Sequence, residues 1–436
     1  MKSGTSKRLL WSWTPESLRE ADDAIVKNLW LHWFPGTVTR RSISFTYSFW
    51  LGTISAVLFA ILTITGIVLM FHYTPSMERA YTSMKDINYA ISYGWFFRSM
   101  HRVAAQLMVV TVLLHMMRVF YTRAYKRSPG NLGNRPFNWI IGIFLLILTL
   151  ALSYTGYLLP MDQLAYWAMM IGTSVAGSVP VIGGYVQTVL TGGTEIGQNA
   201  LLRFYVLHCV VLPFATVVFV AYHMWRIRKD GGLACMDQIV LRKKKDTASP
   251  ASTKTYSLLG IARGVDVSVK TSSHLEEEDL IKSTPNVMRR VWLVTLLTLI
   301  VTIALSIYFK FPLEAPADPA MAPNPAKAPW YFLWLQELIA DTTFTLFGIT
   351  FNGAFLGGVV IPSIVLIWLA AVPYLDRGST RSNGIWFPRE RLRQNLIFTL
   401  VVLVILALIF IGAFCRGPDW IFYWPWEQWP VAPIKF

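Results

Sequence analysis

The sequence predicts an all-α, polytopic membrane protein with about seven transmembrane helices, and three observations carry that reading. Of its 436 residues 54% are hydrophobic and the mean hydropathy is +0.46, too apolar for a soluble chain of this length. Apolar runs near spanning length recur at about 45–71, 98–120, 137–159, 203–225, 291–309, 353–374 and 394–414. Basic residues alternate with these runs: of 39 Lys and Arg, 30 lie in the N-terminal region and the loops at 118–136, 226–290 and 375–394. The net charge of +15 is therefore a topological signal, and no nucleic-acid partner is expected. It sets the N-terminus in the cytoplasm and the C-terminus outside. The first apolar run begins too late to be a signal peptide.

Four units follow in order. Residues 1–44 form an N-terminal interfacial or cytoplasmic segment: Trp11, Trp13, Trp30 and Trp33 stand among charges, and Thr14-Pro15-Glu16 is a helix start, which suits a helix lying in the membrane interface. Residues 45–230 hold four spans. Their last connection, 160–200, is rich in glycine (Gly172, Gly177, Gly183, Gly184, Gly192, Gly193, Gly197) with apolar residues interleaved, and is expected as a shaped outer loop. Residues 231–289 are a polar cytoplasmic linker with Arg242-Lys243-Lys244-Lys245 and Glu276-Glu277-Glu278-Asp279. Residues 290–436 hold three spans. Between the first two of these a Pro/Ala-rich stretch leads into Trp330 to Asp341, which reads as a short helix with two acids.

Cys209, Cys235 and Cys415 form no CxxC or CxxCH spacing, which excludes a covalent haem c and an iron–sulfur cluster on this chain. No disulfide is expected, because Cys235 falls on the cytoplasmic side and Cys209 inside a span.

The chemistry lies in four histidines. His101 and His115 stand fourteen residues apart in the second span, and His208 and His223 fifteen apart in the fourth. Both intervals return to within about 40–60° of one helix face, about 21–23 Å apart along the axis. Both spans run outside to inside, so His101 is level with His208 near the outer surface and His115 with His223 near the inner one. Two bis-histidine pairs stacked in this way suit two non-covalent b haems, with both axial positions filled for electron transfer rather than oxygen binding.

Glycine repeats the interval. Gly52 and Gly66 in the first span, and Gly142 and Gly156 in the third, are each fourteen apart. A haem wedged between helices needs neighbours without side chains, Gly66 and Gly156 at the outer level and Gly52 and Gly142 at the inner. Arg98 and Arg102 outside, and Arg118 and Arg228 inside, are placed to pair with haem propionates.

Several segments resemble one family, the cytochrome b subunit of quinol:cytochrome c or plastocyanin oxidoreductases, in its chloroplast and Gram-positive branch. They are Gly94-Trp95-Phe96-Phe97-Arg98-Ser99-Met100-His101-Arg102, Thr155-Gly156-Tyr157-Leu158-Leu159-Pro160 with Asp162-Gln163, Pro180-Val181-Ile182-Gly183, and Arg203-Phe204-Tyr205 before His208. The fifteen-residue His208–His223 interval is typical of that branch. The front half resembles the haem-bearing chain and the back half its separate three-span partner, here fused.

The resemblance implies a multi-pass protein of the bacterial cytoplasmic membrane. It implies a quinol-oxidising site outside, with menaquinol a candidate substrate, a quinone site near the inner haem, and proton release outside. The implied partners are a separate Rieske iron–sulfur protein and one or more c-type cytochrome subunits, in a complex expected to be dimeric in the lipid bilayer. Asp237 is a weak candidate for the inner quinone site. The alternative is a di-haem anchor that links the quinone pool to a cytochrome c or reductase module without a Rieske partner.

Two departures stand out. Where the family has Pro-Glu-Trp-Tyr, this chain reads Ala328-Pro329-Trp330-Tyr331, so the usual carboxylate beside Trp330 and Tyr331 is missing. Glu337, seven residues after Trp330, is the expected substitute as proton acceptor. Ser48 stands where the chloroplast branch carries the cysteine of an extra haem c, so no covalent haem is expected there.

Overall fold

The computed structural model describes residues 37–40, 42–126, 134–230, 280–377 and 383–428. The Trp-rich segment before residue 37, the linker residues 231–279, and with them Asp237 and Cys235, lie outside the described residues. The described residues are mostly helical and include seven helices long and apolar enough to cross a membrane: Leu51–Met70, Gly94–Tyr121, Arg135–Leu158, Gln198–Arg228, Ser283–Tyr308, Gly353–Leu375 and Arg389–Cys415. Leucine, isoleucine, valine and phenylalanine remain exposed along these spans, as a bilayer requires of the lipid side.

The first span starts later than its apolar run. Phe45–Ser48 is a separate helical turn, and Phe49 and Trp50 follow it with φ of 50° and 53°. Two consecutive left-handed residues cannot continue a right-handed helix, so the span begins at Leu51. The fourth and last spans extend beyond their apolar runs at both ends. Each contains a wide π-turn, Leu207–Val211 and Ile411–Cys415, as does the sixth at Leu356–Val360.

Proline explains two of these turns. Pro213 and Pro362 have no N–H to donate, and each ring would strike the carbonyl four residues back. Opening the preceding turn relieves the clash, so the Leu212 amide donates to the Leu207 carbonyl, five residues back.

The C-terminal spans pack onto the first four rather than into a separate group, the sixth lying against the third. The fifth span lies against the first two through Thr298, Thr302 and Ser306, a buried stripe at four-residue intervals whose hydroxyls each return to the carbonyl four residues back. Small side chains there let the backbones approach, and their polar atoms are satisfied within the helix. Two short strands support one end: β1 (Thr37–Thr39) pairs antiparallel with β2 (Leu280–Lys282), joining the two halves across the linker. An antiparallel pair of β3 (Phe344–Leu346) and β4 (Ile349–Phe351) follows the Trp330–Asp341 helix.

At the end of the bundle nearest His115 the halves are also joined by charge. Arg123 donates to both oxygens of Asp376 at 2.8 Å, Arg391 approaches the same carboxylate at 3.2 Å, and Tyr125 donates to it at 2.9 Å. All four residues are buried. Burial pushes the Asp376 carboxyl up, but the hydrogen bonds and charge of Arg123, with Arg391 and Tyr125, outweigh it and hold the group below the usual carboxylate range.

Candidate di-histidine sites

Each histidine is held by a glycine on a neighbouring span. A Cβ at Gly66 would lie 3.2 Å from Cε1 of His101, and one at Gly156 would lie 2.5 Å from Cε1 of His208. At the other level a Cβ at Gly52 would lie 3.2 Å from His115, and one at Gly142 would lie 3.6 Å from His223. The glycines are thus needed by the imidazole rings themselves, where the sequence reading had invoked the flat face of a haem. A methyl group in three of the four positions would crowd a ring below ordinary contact distance.

The π-turn reconciles the two histidine intervals. Fifteen residues of regular helix leave the second histidine about 60° off the face of the first. His208 lies within the Leu207–Val211 turn, which takes up one extra residue, so both His208 and His223 meet glycines of the third span. Pro213, five residues beyond His208, was the signal in the sequence.

The ring centres of His101 and His208 are 6.2 Å apart, with planes at 75°. Two trans imidazoles on one metal, each bonded at about 2 Å, have ring centres about 6 Å apart, so this pair fits a bis-imidazole iron. At the other level His115 meets Gly52 and His223 meets Gly142. Among the described residues no three His, Cys, Asp or Glu side chains converge. A two-imidazole donor set suits a group that brings its own four equatorial nitrogens, as a porphyrin does.

Hydroxyls support one pair. Nδ1 of His101 is 2.9 Å from Oγ1 of Thr65, and Nδ1 of His208 is 3.1 Å from Oγ1 of Thr155. At the other level His223 Nδ1 is buried without a hydrogen-bond partner. The threonines were missed in the sequence, although each directly precedes one of the glycines of that level.

The four expected arginines have varied surroundings. Arg98 is buried and donates to the Phe311 carbonyl at 2.5 Å and to Asn88 at 3.2 Å. Arg102 lies over the Phe311 ring, and Arg118 is buried over the Tyr47 ring. Arg228 is half-buried at the end of the fourth span. Arg226, which the sequence reading passed over, makes a two-pronged bond to Asp230 at 2.8 and 3.1 Å.

The Trp330–Asp341 helix packs at the His101 end. Trp330 Nε1 donates to Gln106 of the second span at 2.6 Å, and Phe332 meets Tyr154 of the third span edge to face. Tyr331 is buried, and burial pushes its phenol up to about 12 against the opposing charge of Arg102, so it is neutral at physiological pH.

Glu337 has partners that the sequence does not announce. It is fully buried and turned toward the end of the last span, where Arg416 binds Oε1 at 2.5 and 2.8 Å and Trp420 Nε1 donates to Oε2 at 3.1 Å. Phe332, which reaches the front half, lies five residues earlier and so about 140° away around the helix. Both carboxylate oxygens are engaged, so Glu337 is ion-paired to the end of the last span. Arg416 also reaches Asp341 at 3.0 Å. Burial and then the charge of Glu337 raise the Asp341 carboxyl, against the attraction of Arg416. Nothing local in the sequence marks a pairing across 79 residues.

Seven apolar helices among the described residues, with four histidines each seated on a glycine, suit a helical membrane protein that holds a redox group. Comparison with known proteins narrows this. The chain matches the family models described as "Cytochrome b/b6/petB" over residues 37–231 and "Cytochrome b(C-terminal)/b6/petD" over residues 316–425. It is 43% identical over 183 residues to a cytochrome b6 of Heliomicrobium gestii, covering 42% of this chain and 83% of that protein. It is 40% identical over 181 residues to a cytochrome b6 of Prochlorococcus marinus (strain AS9601), covering 42% and 80%. A solved chain described as "Hyperthermophilic respiratory Complex III" shares the fold, with TM-score 0.67 and 22% identity over 91% of this chain and 90% of that one.

The chain belongs to the cytochrome b family, with the parts matched by the two family models fused in one polypeptide. Members are core subunits of quinol-oxidising complexes, and membership implies non-covalent b haems and electron transfer across a membrane that this chain crosses several times.

Proposed function

We propose that this chain carries electrons across the bacterial cytoplasmic membrane between two bis-histidine sites, His101 with His208 near the outer surface and His115 with His223 near the inner one. The observation that carries the reading is the 6.2 Å separation of the His101 and His208 rings, each braced by a glycine of a neighbouring span. When bound, two non-covalent b haems would supply one-electron carriers about 21 Å apart along the helix axis. The four histidines would hold them, the glycines set the ring positions, and Arg98, Arg102, Arg118 and Arg228 would offer positive charge at the two levels.

A quinol, with menaquinol a candidate, is oxidised at the outer face beside the Trp330–Asp341 helix. There Tyr331 offers a neutral phenolic hydroxyl as a hydrogen-bond donor, and Trp330 is braced by Gln106. The protons leave on the outer side. A separate Rieske iron–sulfur protein takes one electron of each quinol and a c-type cytochrome subunit follows it, in a dimeric complex with the N-terminus of this chain in the cytoplasm and its C-terminus outside. The basic loops support that orientation.

One observation favours the second reading, a di-haem anchor without a Rieske partner. The sequence Ala328-Pro329-Trp330-Tyr331 lacks the family's carboxylate, and Glu337 is engaged by Arg416. Purification of the intact complex separates the two: a Rieske subunit with its iron–sulfur signal is expected, and a complex active with quinol but lacking that subunit would favour the anchor. A transporter using intramembrane histidines for protons predicts no haem absorbance at all.

A further inference from the structure

The two tiers differ in what touches the far side of each imidazole. At the His101 tier both histidines present Nδ1 to a threonine hydroxyl, at 2.9 Å from Thr65 and 3.1 Å from Thr155. Each threonine precedes a glycine that seats the same ring: Thr65 stands before Gly66 against His101, and Thr155 before Gly156 against His208. The same positions at the other tier are Leu51 before Gly52 and Ile141 before Gly142. Neither carries a hydroxyl, so these positions offer the rings of that tier no counterpart to Thr65 and Thr155.

The direction of the threonine contacts follows from their second hydrogen bonds. Thr65 donates its proton to the Ile61 carbonyl at 2.7 Å, and Thr155 donates to the Ala151 carbonyl at 2.9 Å. A hydroxyl has one proton, so each Oγ1 faces the histidine with a lone pair and accepts from Nδ1–H. That fixes the tautomer with Nε2 free to bind a metal. An accepting partner on Nδ1–H also makes the imidazole more basic and a stronger donor to the metal.

We propose that Thr65 and Thr155 are positioning residues that favour the ferric state of the outer haem, lowering its midpoint potential relative to the inner one and so biasing electron flow inward. This rests on the proposed di-haem reading. Its physical basis is charge: ferric iron gains more than ferrous iron from a more electron-rich axial ligand. Two threonine hydroxyls would act through the ligands of one tier, where Leu51 and Ile141 supply none at the other.

The test is a redox titration of the purified holoprotein, following the absorbance of both haems. Thr65→Val and Thr155→Val remove the acceptor with little change of shape. Together they are expected to raise the midpoint of the outer haem by up to about tenfold in ferric preference, about 59 mV for one electron, with the inner midpoint unchanged. Thr65→Ser and Thr155→Ser keep the hydroxyl and are expected to restore the wild-type value, which a loss of packing would not predict. If the valine variants lose haem, Ile141→Thr supplies an independent arm. It adds a hydroxyl one residue before Gly142 and is expected to lower the inner midpoint, narrowing the gap between the waves.

Two intact waves, both unmoved in the valine pair and in Ile141→Thr, would overturn the proposal while leaving the di-haem reading in place. Equal movement of both waves in the valine pair would also overturn it. A wild-type protein with one haem, or none, would instead remove the reading on which it rests.

Discussion

Replacing Gly156 with alanine should be the most damaging of the four glycine substitutions. The new Cβ would stand 2.5 Å from Cε1, 3.0 Å from Nε2 and 3.1 Å from Nδ1 of His208, so the whole ring must retreat. Ordinary contact begins at 3.4 Å, which sets the retreat at close to an ångström in a packed helix pair. Overpacking of that kind costs about 1–3 kcal/mol, and the affinity for the group that His208 holds should fall by about 5- to 150-fold. Gly142→Ala meets His223 only at 3.6 Å, an ordinary contact, and gains about 1 kcal/mol of helix propensity. Gly52→Ala and Gly66→Ala, at 3.2 Å, should fall between. Haem content per chain, read from the absorbance of purified variants at matched expression, gives the order directly. A Gly142 variant as depleted as the Gly156 variant, or a uniform loss in all four, would refute the reasoning from ring contact.

Other expectations follow from the charge clusters and the ligands. Asp376→Asn removes the charge facing Arg123 and Arg391 in a buried site and should cost about 3–5 kcal/mol, seen as a lower thermal midpoint in detergent. The Asp376 carboxyl is held below its usual range, so its contribution is complete at neutral pH and is lost only as pH falls below about 3.9. A thermal midpoint that tracks this residue between pH 7 and 5 would contradict that sign. Glu337→Gln and Arg416→Met each break a pair whose side chains are 0% and 16% exposed, and both should reduce stability. The double variant should recover much of the loss, with turnover returning alongside. Loss of quinol oxidation in Glu337→Gln that persists in the stable double variant would mark Glu337 as a proton acceptor. His115→Ala and His223→Ala should remove the same spectral component, and His101→Ala the other. Loss of both components from any one of them, with the fold intact, would contradict the two-tier arrangement.

Much of this architecture was legible because it is periodic. Spans announce themselves by apolar length, and histidines and glycines that repeat at about four turns mark levels without any knowledge of packing. The limit of periodicity appears at His208. Its fifteen-residue interval reads as a rotation off the face, and only the π-turn before Pro213 removes the discrepancy. The start of the first span was misread for a related reason: apolar composition is continuous from Phe45, while the break is in the backbone at Phe49 and Trp50. Glu337 shows the opposite limit. Its seven-residue spacing from Trp330 was visible, but its partner Arg416 lies at the far end of the last span, and long-range pairing leaves no local pattern. Thr65 and Thr155 were visible beside their glycines; the hydroxyl needed the ring beside it before its role could be read.

The most direct test of the central claim is a potentiometric titration of the purified protein, with haem counted per chain. Two low-spin b-type components in equal amount, titrating as two one-electron waves, are the expected result. A single wave, or one haem per chain, would contradict a pair of stacked bis-histidine sites.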